Sequence, residues 1–508
     1  MPVPTQVLTT RIAWLSMATV LLSAAAAHTA GSDARVAEAV KRGDSRVAAA
    51  LVTQGADVNA PQGDGATALH WAALHDDLLT ADLLIRAGAK ASVANDLGVT
   101  PLSLASTNGS AAMIKRLVQA GASPNTALPT GELPLMTAAR TGRAEAVRAL
   151  LVAGAAVNAT SPGGQTALMW AANDSQVEAT RTLIEAGADV HASSNTGFNA
   201  LMFAARAGAT EVGRVLLASG ATIDAASKDG TTALVVATVR GNLPFANLLL
   251  ERGADPNLGP GYTPLHWAVG RWDTGVTAGE SGLIARAGDW AAMGGLQKGK
   301  VEYVRTLLAH GADVNARILR SPPRFGFTIQ PRWALRGATP FLLAALNDDL
   351  PLMRLLLASG ATPAINTERN MTPLIAAAGF GRVPGETRIP ESESLETVKF
   401  LVEELKQDVN AADDDGDTPL HSAAYAGADS VVPYLVGKHA NLEARNDKDQ
   451  TPLVLALTQT QTGAHPTTAA VLRALGAVGS LGLVEEAAGE PSAKPEGTPD
   501  AKKPEPRK

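Results

Sequence analysis

Residues 67–93 begin with TALHWAA and end with LLIRAGAKASV, and this pattern returns along most of the chain. The first position of the pattern recurs at a constant spacing of 33 residues, at Thr67, Thr100, Leu133, Thr166, Asn199 and Thr232. Each segment continues with a small apolar helix and ends in Gly-Ala-x-x-(Asn/Asp). A fixed period of this length is typical of stacked units that cannot bury their apolar face alone. The chain is therefore predicted to be a repeat scaffold.

The chemistry of one unit predicts a pair of helices. Thr at the first position is a good helix cap, because its hydroxyl accepts a hydrogen bond from a backbone N–H that the helix leaves unpaired. Pro at the next position costs nothing, since that N–H has no partner inside the helix. The second helix has apolar residues at helical spacing, as in Val147, Leu150 and Leu151, and it ends at Gly.

The segments TALMWAA at 166–172, TPLHWAV at 263–269 and TPLHSAA at 418–424 resemble the T-P-L-H-x-A signature of ankyrin repeats. The resemblance implies an all-α ankyrin-repeat solenoid of about eleven helix-turn-helix units with β-hairpin fingers, over residues 33–485. It also implies that His70, His266 and His421 form hydrogen bonds that brace neighbouring fingers.

The resemblance to ankyrin repeats also implies a protein-binding function. We expect a non-catalytic, monomeric scaffold that binds a protein partner through its concave face and finger tips. The residues that follow the first helices should line that face, and four of them are basic: Arg140, Arg206, Arg240 and Arg271. A row of arginines would suit an acidic partner. The other interpretation is that these are ordinary solvated charges.

Three insertions interrupt the period, at about residues 271–300, 317–337 and 380–394. The second lengthens a finger and has no Asp or Glu, although arginines and aromatics alternate in it. Such a segment is predicted to dock an anionic partner, or else to fold back on the solenoid. Its candidate contact residues are Arg320, Arg324, Phe325, Phe327, Arg332 and Trp333.

The two ends of the chain differ from the array. Residues 12–27 are apolar or small and end in Ala-Ala-Ala, so residues 1–27 are predicted to be a secretory signal peptide. A periplasmic or secreted protein without a membrane span after cleavage follows, and an uncleaved anchor is the alternative. Residues 486–508 are rich in Pro, Lys and Glu and are predicted to be a disordered tail.

The composition and motifs of the chain argue against several kinds of partner and site. The net charge of −6 does not favour nucleic acid as a partner. The chain has no cysteine, which excludes disulfides, thiolate zinc sites and cysteine nucleophiles. No catalytic motif is present, and residues 413–417 (DDDGD) miss the calcium-loop register. We predict no cofactor and no metal; the alternative function is an enzyme or small-ligand binder with a site formed by the insertions near residues 271–337.

Overall fold

The computed structural model describes residues 34–270, 299–320, 335–379, 391–458 and 464–478. Within these ranges it has 24 α-helices and no β-strand, which confirms the all-α prediction. The chain divides into two units, Met1–Ala268 with Thr277–Ala312, and Val269–Val276 with Asp313–Lys508.

The helices of the first unit follow one another as pairs. They are α1 (Arg35–Lys41), α2 (Ser45–Thr53), α3 (Ala68–Leu74), α4 (Leu78–Arg86), α5 (Pro101–Asn108), α6 (Ala111–Gln119), α7 (Pro134–Thr141), α8 (Ala144–Val152), α9 (Ala167–Asn173), α10 (Val177–Glu185), α11 (Ala200–Ala207), α12 (Thr210–Ala218), α13 (Ala233–Val239), α14 (Leu243–Glu251), α15 (Pro264–Val269), which ends just past the unit boundary, and α16 (Lys300–Ala309).

The second unit continues the same order. Its helices are α17 (Pro340–Leu346), α18 (Leu350–Ala358), α19 (Pro373–Ala378), α20 (Glu391–Lys399), which runs into a π-helical turn at Phe400–Glu404, α21 (Pro419–Ala426), α22 (Val431–Gly437), α23 (Pro452–Leu457) and α24 (Pro466–Ala474).

The described helices make twelve pairs, one more than the predicted number of about eleven. The first pair lacks the Thr-(Ala/Pro)-Leu pattern by which most of the others are recognisable in the sequence. Its first helix begins after Ala34, which has no side chain able to cap it. We number the repeats one to twelve in chain order.

Repeat three shows why each pair forms. The Thr100 hydroxyl accepts a hydrogen bond from the Ser103 N–H at 3.1 Å, and Pro101 occupies the first helical position. Helix α5 ends at Gly109, whose φ of 71° lies in the left-handed region that glycine tolerates best. Ser110 then caps α6 by accepting from the Met113 N–H. The chain therefore reverses within two residues.

Within each unit, the core of a repeat lies between its two helices and those of the next repeat. In repeat three Leu102 is 1% exposed, and Ile114 and Leu117 are fully buried. Burial of one such side chain stabilises the fold by roughly 1.5–3 kcal/mol. Alanines such as Ala105, also fully buried, let neighbouring first helices approach closely. Stability therefore comes from contacts between adjacent repeats.

A short finger precedes most first helices, and these turns together form what we call the finger row. In one finger the Asn95 N–H donates to the Val99 carbonyl at 2.9 Å, and the Gly98 N–H donates to the Asn95 carbonyl at 2.8 Å. Two such bonds are too few to make a strand. The described residues accordingly contain only isolated β-bridges, Ser193 with Asn199 and Ala226 with Thr232, where β-hairpins were predicted.

Two of the motif histidines, His70 and His421, brace the finger row, as the sequence predicts, while Nδ1 of His266 accepts from the Thr263 N–H at 3.0 Å. Nδ1 of His70 accepts from the Thr67 N–H at 3.0 Å, so Nε2 carries the proton and donates to the Val99 carbonyl of the next finger at 3.0 Å. His421 makes the equivalent bond to the Gln450 carbonyl. Burial lowers the pKa of both imidazoles, which keeps them neutral in this role.

Candidate interaction surface

Consecutive fingers are joined by backbone hydrogen bonds, which fixes the spacing of the side chains above them. The Asn195 N–H donates to the Gly163 carbonyl at 2.9 Å, and the Lys228 N–H donates to the Thr196 carbonyl at 3.3 Å. At Pro162 the chain has no N–H to donate, and the proline ring instead covers Gly131. A side chain at Gly131 would lie 2.1 Å from that ring. Fingers and first helices therefore present their side chains at fixed positions.

A set of polar and aromatic side chains in the fingers and first helices of repeats four to six forms two clusters, and Asp174 interacts electrostatically with the arginine of each cluster. We call this set the inner strip. It consists of Glu132, Arg140, Trp170, Asn173, Asp174, Phe198, Phe203 and Arg206.

Arg140 links two repeats within the inner strip. Its Nη2 lies 3.3 Å from Oε1 of Glu132, in the finger before α7. Its guanidinium also stacks over the indole of Trp170 in the next repeat, 5.2 Å from the ring centroid. The arginine side chain is 28% exposed, so it is held on both sides while part of it still faces solvent. Cation–π stacking holds the planar group in one orientation.

Arg206 repeats this arrangement two repeats further on. Its Nη2 donates to Oδ1 of Asn173 at 2.6 Å, and its guanidinium lies 4.9 Å from the ring centroid of Phe203. Phe198, at the end of the preceding finger, meets Phe203 edge to face with centroids 6.0 Å apart. The aromatic pair therefore joins the finger to the first helix.

The inner strip carries charges of both signs. Partial burial raises the pKa of Asp174, and the guanidinium groups of Arg140 and Arg206 act in the opposite direction. Together with Glu132, this carboxylate alternates with the arginines. The row of arginines that the sequence predicts is therefore interleaved with acidic groups. Arg240 follows α13, where its N–H donates to the Val236 carbonyl at 3.0 Å.

The predicted contacts of the finger insertion are only partly visible. Arg320 is exposed beside Leu319, whose exposed fraction is 68%. Six other predicted site residues lie outside the described residues and stay predictions: Arg271, Arg324, Phe325, Phe327, Arg332 and Trp333. The alternative ligand site near residues 271–337 also falls largely in the undescribed ranges 271–298 and 321–334.

A second set of contacts between repeats was not predicted from the sequence. Nδ2 of Asn158, in the loop after α8, donates to the Gly187 carbonyl of the next repeat at 3.1 Å. Its Oδ1 accepts from the Asp189 N–H at 2.8 Å. The same two bonds recur at Asn59, Asn125, Asn315 and Asn410. The recurring Asn of Gly-Ala-x-x-Asn was the signal that could have revealed them.

Neither a metal site nor a membrane-spanning helix is seen in the part of the chain that the structure describes. There, no group of three or more His, Cys, Asp or Glu residues could hold a metal ion. Among the described helices, none has the length and apolar character needed to cross a membrane.

Comparison with known families gives repeated matches to the model described as ankyrin repeats (3 copies), at residues 36–127, 102–194, 135–227, 201–275 and 389–476. A single-copy ankyrin repeat model matches residues 289–318. The matches to the three-copy model span 36–275 and 389–476, which is more than half of the chain.

Three curated relatives share part of the sequence. Ankyrin repeat domain-containing protein 63 of Homo sapiens is 35% identical over 236 residues, 44% of this chain and 54% of the relative. Alpha-latrocrustotoxin-Lt1a of Latrodectus tredecimguttatus is 33% identical over 119 residues, 23% of this chain and 8% of the toxin. Mitochondrial disaggregase of Bos taurus is 27% identical over 202 residues, 38% of this chain and 26% of that protein. The chain thus spans about half or less of the length of these relatives.

Proposed function

Because the chain belongs to the ankyrin repeat family, whose repeats are generally non-catalytic protein–protein interaction scaffolds, we propose that it binds a protein partner through the inner strip. The Arg/aromatic finger insertion would add a second contact. One observation carries the proposal: within repeats four to six, Arg140 and Arg206 each lie over an aromatic ring and contact a polar side chain, and both remain partly exposed.

The composition of the inner strip supports this use. Arg and Trp are enriched among the residues that contribute most binding energy at protein interfaces. Arg140 and Arg206 are already held by stacking and by hydrogen bonds in the unbound chain. A partner that contacts them therefore immobilises few additional rotamers, which lowers the entropic cost of association.

The partner we propose has an acidic segment flanked by apolar side chains, and it binds one copy of this chain. A guanidinium pairs with a carboxylate through its planar fork of N–H donors, and the side chains of Arg140 and Arg206 are both partly exposed. Trp170 and Phe198 would take the apolar side chains beside the partner carboxylate.

The experiment compares capture of partners from an extract of the native host by two double variants. Arg140→Ala with Arg206→Ala removes both cations of the inner strip and should lower the amount of the specifically captured protein at least tenfold. Arg148→Ala with Arg181→Ala is the matched control, because these arginines lie on the second helices in exposed pairs with Glu145 and Glu178. Equal capture by the two double variants would refute the inner strip as the binding surface.

We also propose that the chain is exported to the periplasm or secreted, on the strength of the apolar segment 12–27 and its Ala-Ala-Ala end. The test is the N-terminal sequence of the protein purified from fractionated native cells. A start near His28 outside the cytoplasm is expected, whereas an intact Met1 in the cytoplasmic fraction would contradict it.

A further inference from the structure

The finger after repeat eight is closed in the ordinary way although it contains the second insertion. The Ile318 N–H donates to the Ala338 carbonyl at 2.9 Å, and the Gly337 N–H donates to the Ile318 carbonyl at 2.7 Å. The same two bonds close the short finger at residues 62–66, where they measure 2.9 and 3.0 Å. Residue 318 therefore corresponds to residue 62, and residues 336–338 correspond to 64–66.

This correspondence locates the insertion. Between the residues equivalent to 62 and 64 the short finger has one residue, Gly63, whereas this finger has the seventeen residues 319–335. The link to the next finger is also of the ordinary kind, because the Glu368 N–H donates to the Arg336 carbonyl at 2.8 Å. The insertion therefore starts and ends at the tip of a complete finger.

Two arginines at the base of the insertion make different contacts. Arg317 donates through Nε to the Gly337 carbonyl and through Nη2 to the Asn366 carbonyl, both at 3.1 Å. It thereby ties the closed base to the following finger. Among the described residues, the Arg336 side chain pairs with Glu368 at 3.1 Å, and both side chains are about half exposed, at 52% and 44%. An exposed pair of this kind contributes little to stability.

Gly337 makes room for the first of these contacts. Its φ is +78°, and a Cβ there would lie 2.5 Å from Nη2 of Arg317 and 2.8 Å from the Glu368 nitrogen. The guanidinium of Arg317 thus occupies the space that a side chain at residue 337 would need.

We propose that Arg317 is a positioning residue that couples the base of the insertion to the next finger. The hydrogen bonds that close the base and those that join it to the next finger then open together. The arginines of this segment then have separate tasks. Arg317 holds the base through two carbonyl acceptors, which requires the two-pronged guanidinium, whereas Arg320 faces solvent beyond the closing bonds. The inference concerns the chain alone and holds whether or not the inner strip binds the proposed partner.

Residue-level amide hydrogen exchange on the full chain tests it. In Arg317→Ala the exchange of the Ile318, Gly337 and Glu368 amides should accelerate about tenfold or more, since two hydrogen bonds to a charged donor are lost. Arg317→Lys keeps the charge but reaches one acceptor at a time, so its exchange should lie near that of Arg317→Ala. Arg336→Ala is the matched control and should change these amides less than twofold.

Several results would overturn the proposal. Equal acceleration in Arg317→Ala and Arg336→Ala would do so, as would no acceleration in Arg317→Ala or full protection in Arg317→Lys. A further variant replaces residues 319–335 by one glycine. It should fold, and it should keep the dependence on Arg317, because the finger is complete without the insertion. Loss of folding in this variant, or loss of that dependence, would equally contradict the inference.

Discussion

Replacing Asp413 by Asn should stabilise the chain near neutral pH. Oδ1 of Asp413 accepts from the Asp415 and Asp417 N–H groups at 3.0 and 2.9 Å. In two other fingers an asparagine performs this task, since Asn95 and Asn446 accept the equivalent pairs at 2.9–3.1 Å. The amide oxygen can therefore replace the carboxylate oxygen without loss of either bond.

The expected gain in stability comes from removing a partly buried negative charge. Burial raises the pKa of Asp413 from 3.8 to about 6, and the neighbouring Asp415 and Asp417 carboxylates act in the same direction. Between these two pH values the folded chain binds a proton that the unfolded chain has released, so stability falls as the pH rises through this window. For a group fully shielded from water, this pKa difference corresponds to about 3 kcal/mol in the free energy of unfolding. Because Asp413 is only half-buried and water screens it, we expect about 1 kcal/mol.

Urea denaturation followed by circular dichroism at pH 4, 5, 6 and 7.5 measures the effect. Asp413→Asn should raise the unfolding midpoint at pH 7.5, and the difference from the original chain should shrink to nothing near pH 4. Asn95→Asp is the reciprocal control: Asn95 is 7% exposed, so this change should destabilise at pH 7.5 and become harmless at low pH. A pH-independent difference, or a destabilised Asp413→Asn variant, would refute the reasoning.

Further perturbations test other contacts between and within repeats. Leu133 begins α7 without a side-chain cap, at backbone angles like those of Thr100, so Leu133→Thr should stabilise by about 1 kcal/mol, read as a higher Tm. Asn158→Ala should cost about 1 kcal/mol through its two bonds to the next repeat, whereas Ser92→Asn, at the equivalent place in repeat two, should raise the Tm; no change in either would contradict the bridging role. Because burial lowers the pKa of His421, this residue should lower the free energy of unfolding as pH drops below about 6.5, by at most about 1.4 kcal/mol per pH unit, and His421→Gln should reduce the total slope in urea titrations by that share.

The fold was largely predictable because the period survives local substitution. Leu133 replaces the capping threonine, yet Pro134 and the apolar positions after it keep the register. The first pair lies inside the predicted range 33–485 but was not counted as a unit, since its first helix follows Ala34 and has no signature. The fingers were expected to be hairpins, but two closing bonds each give turns with isolated bridges.

The candidate surface was less predictable, because its properties depend on pairs that are far apart in sequence. Arg140 and Arg206 were recognisable as repeated basic positions. The stacking partner of Arg140 and the hydrogen-bond acceptor of Arg206 come from neighbouring repeats. The alternation of basic and acidic side chains along the inner strip is therefore not visible in one repeat alone. Similarly, nothing in the local sequence separates Arg317 from Arg320, since the acceptors of Arg317 lie 20 and 49 residues away.

Hydrogen–deuterium exchange of the chain with and without its captured partner tests the central claim most directly. Binding through the inner strip should slow exchange in the finger and first-helix segments 128–141, 162–174 and 195–207. It should leave the second helices Ala144–Val152 and Val177–Glu185 unchanged. Protection confined to those second helices, with the fingers and first-helix ends unaffected, would contradict the account.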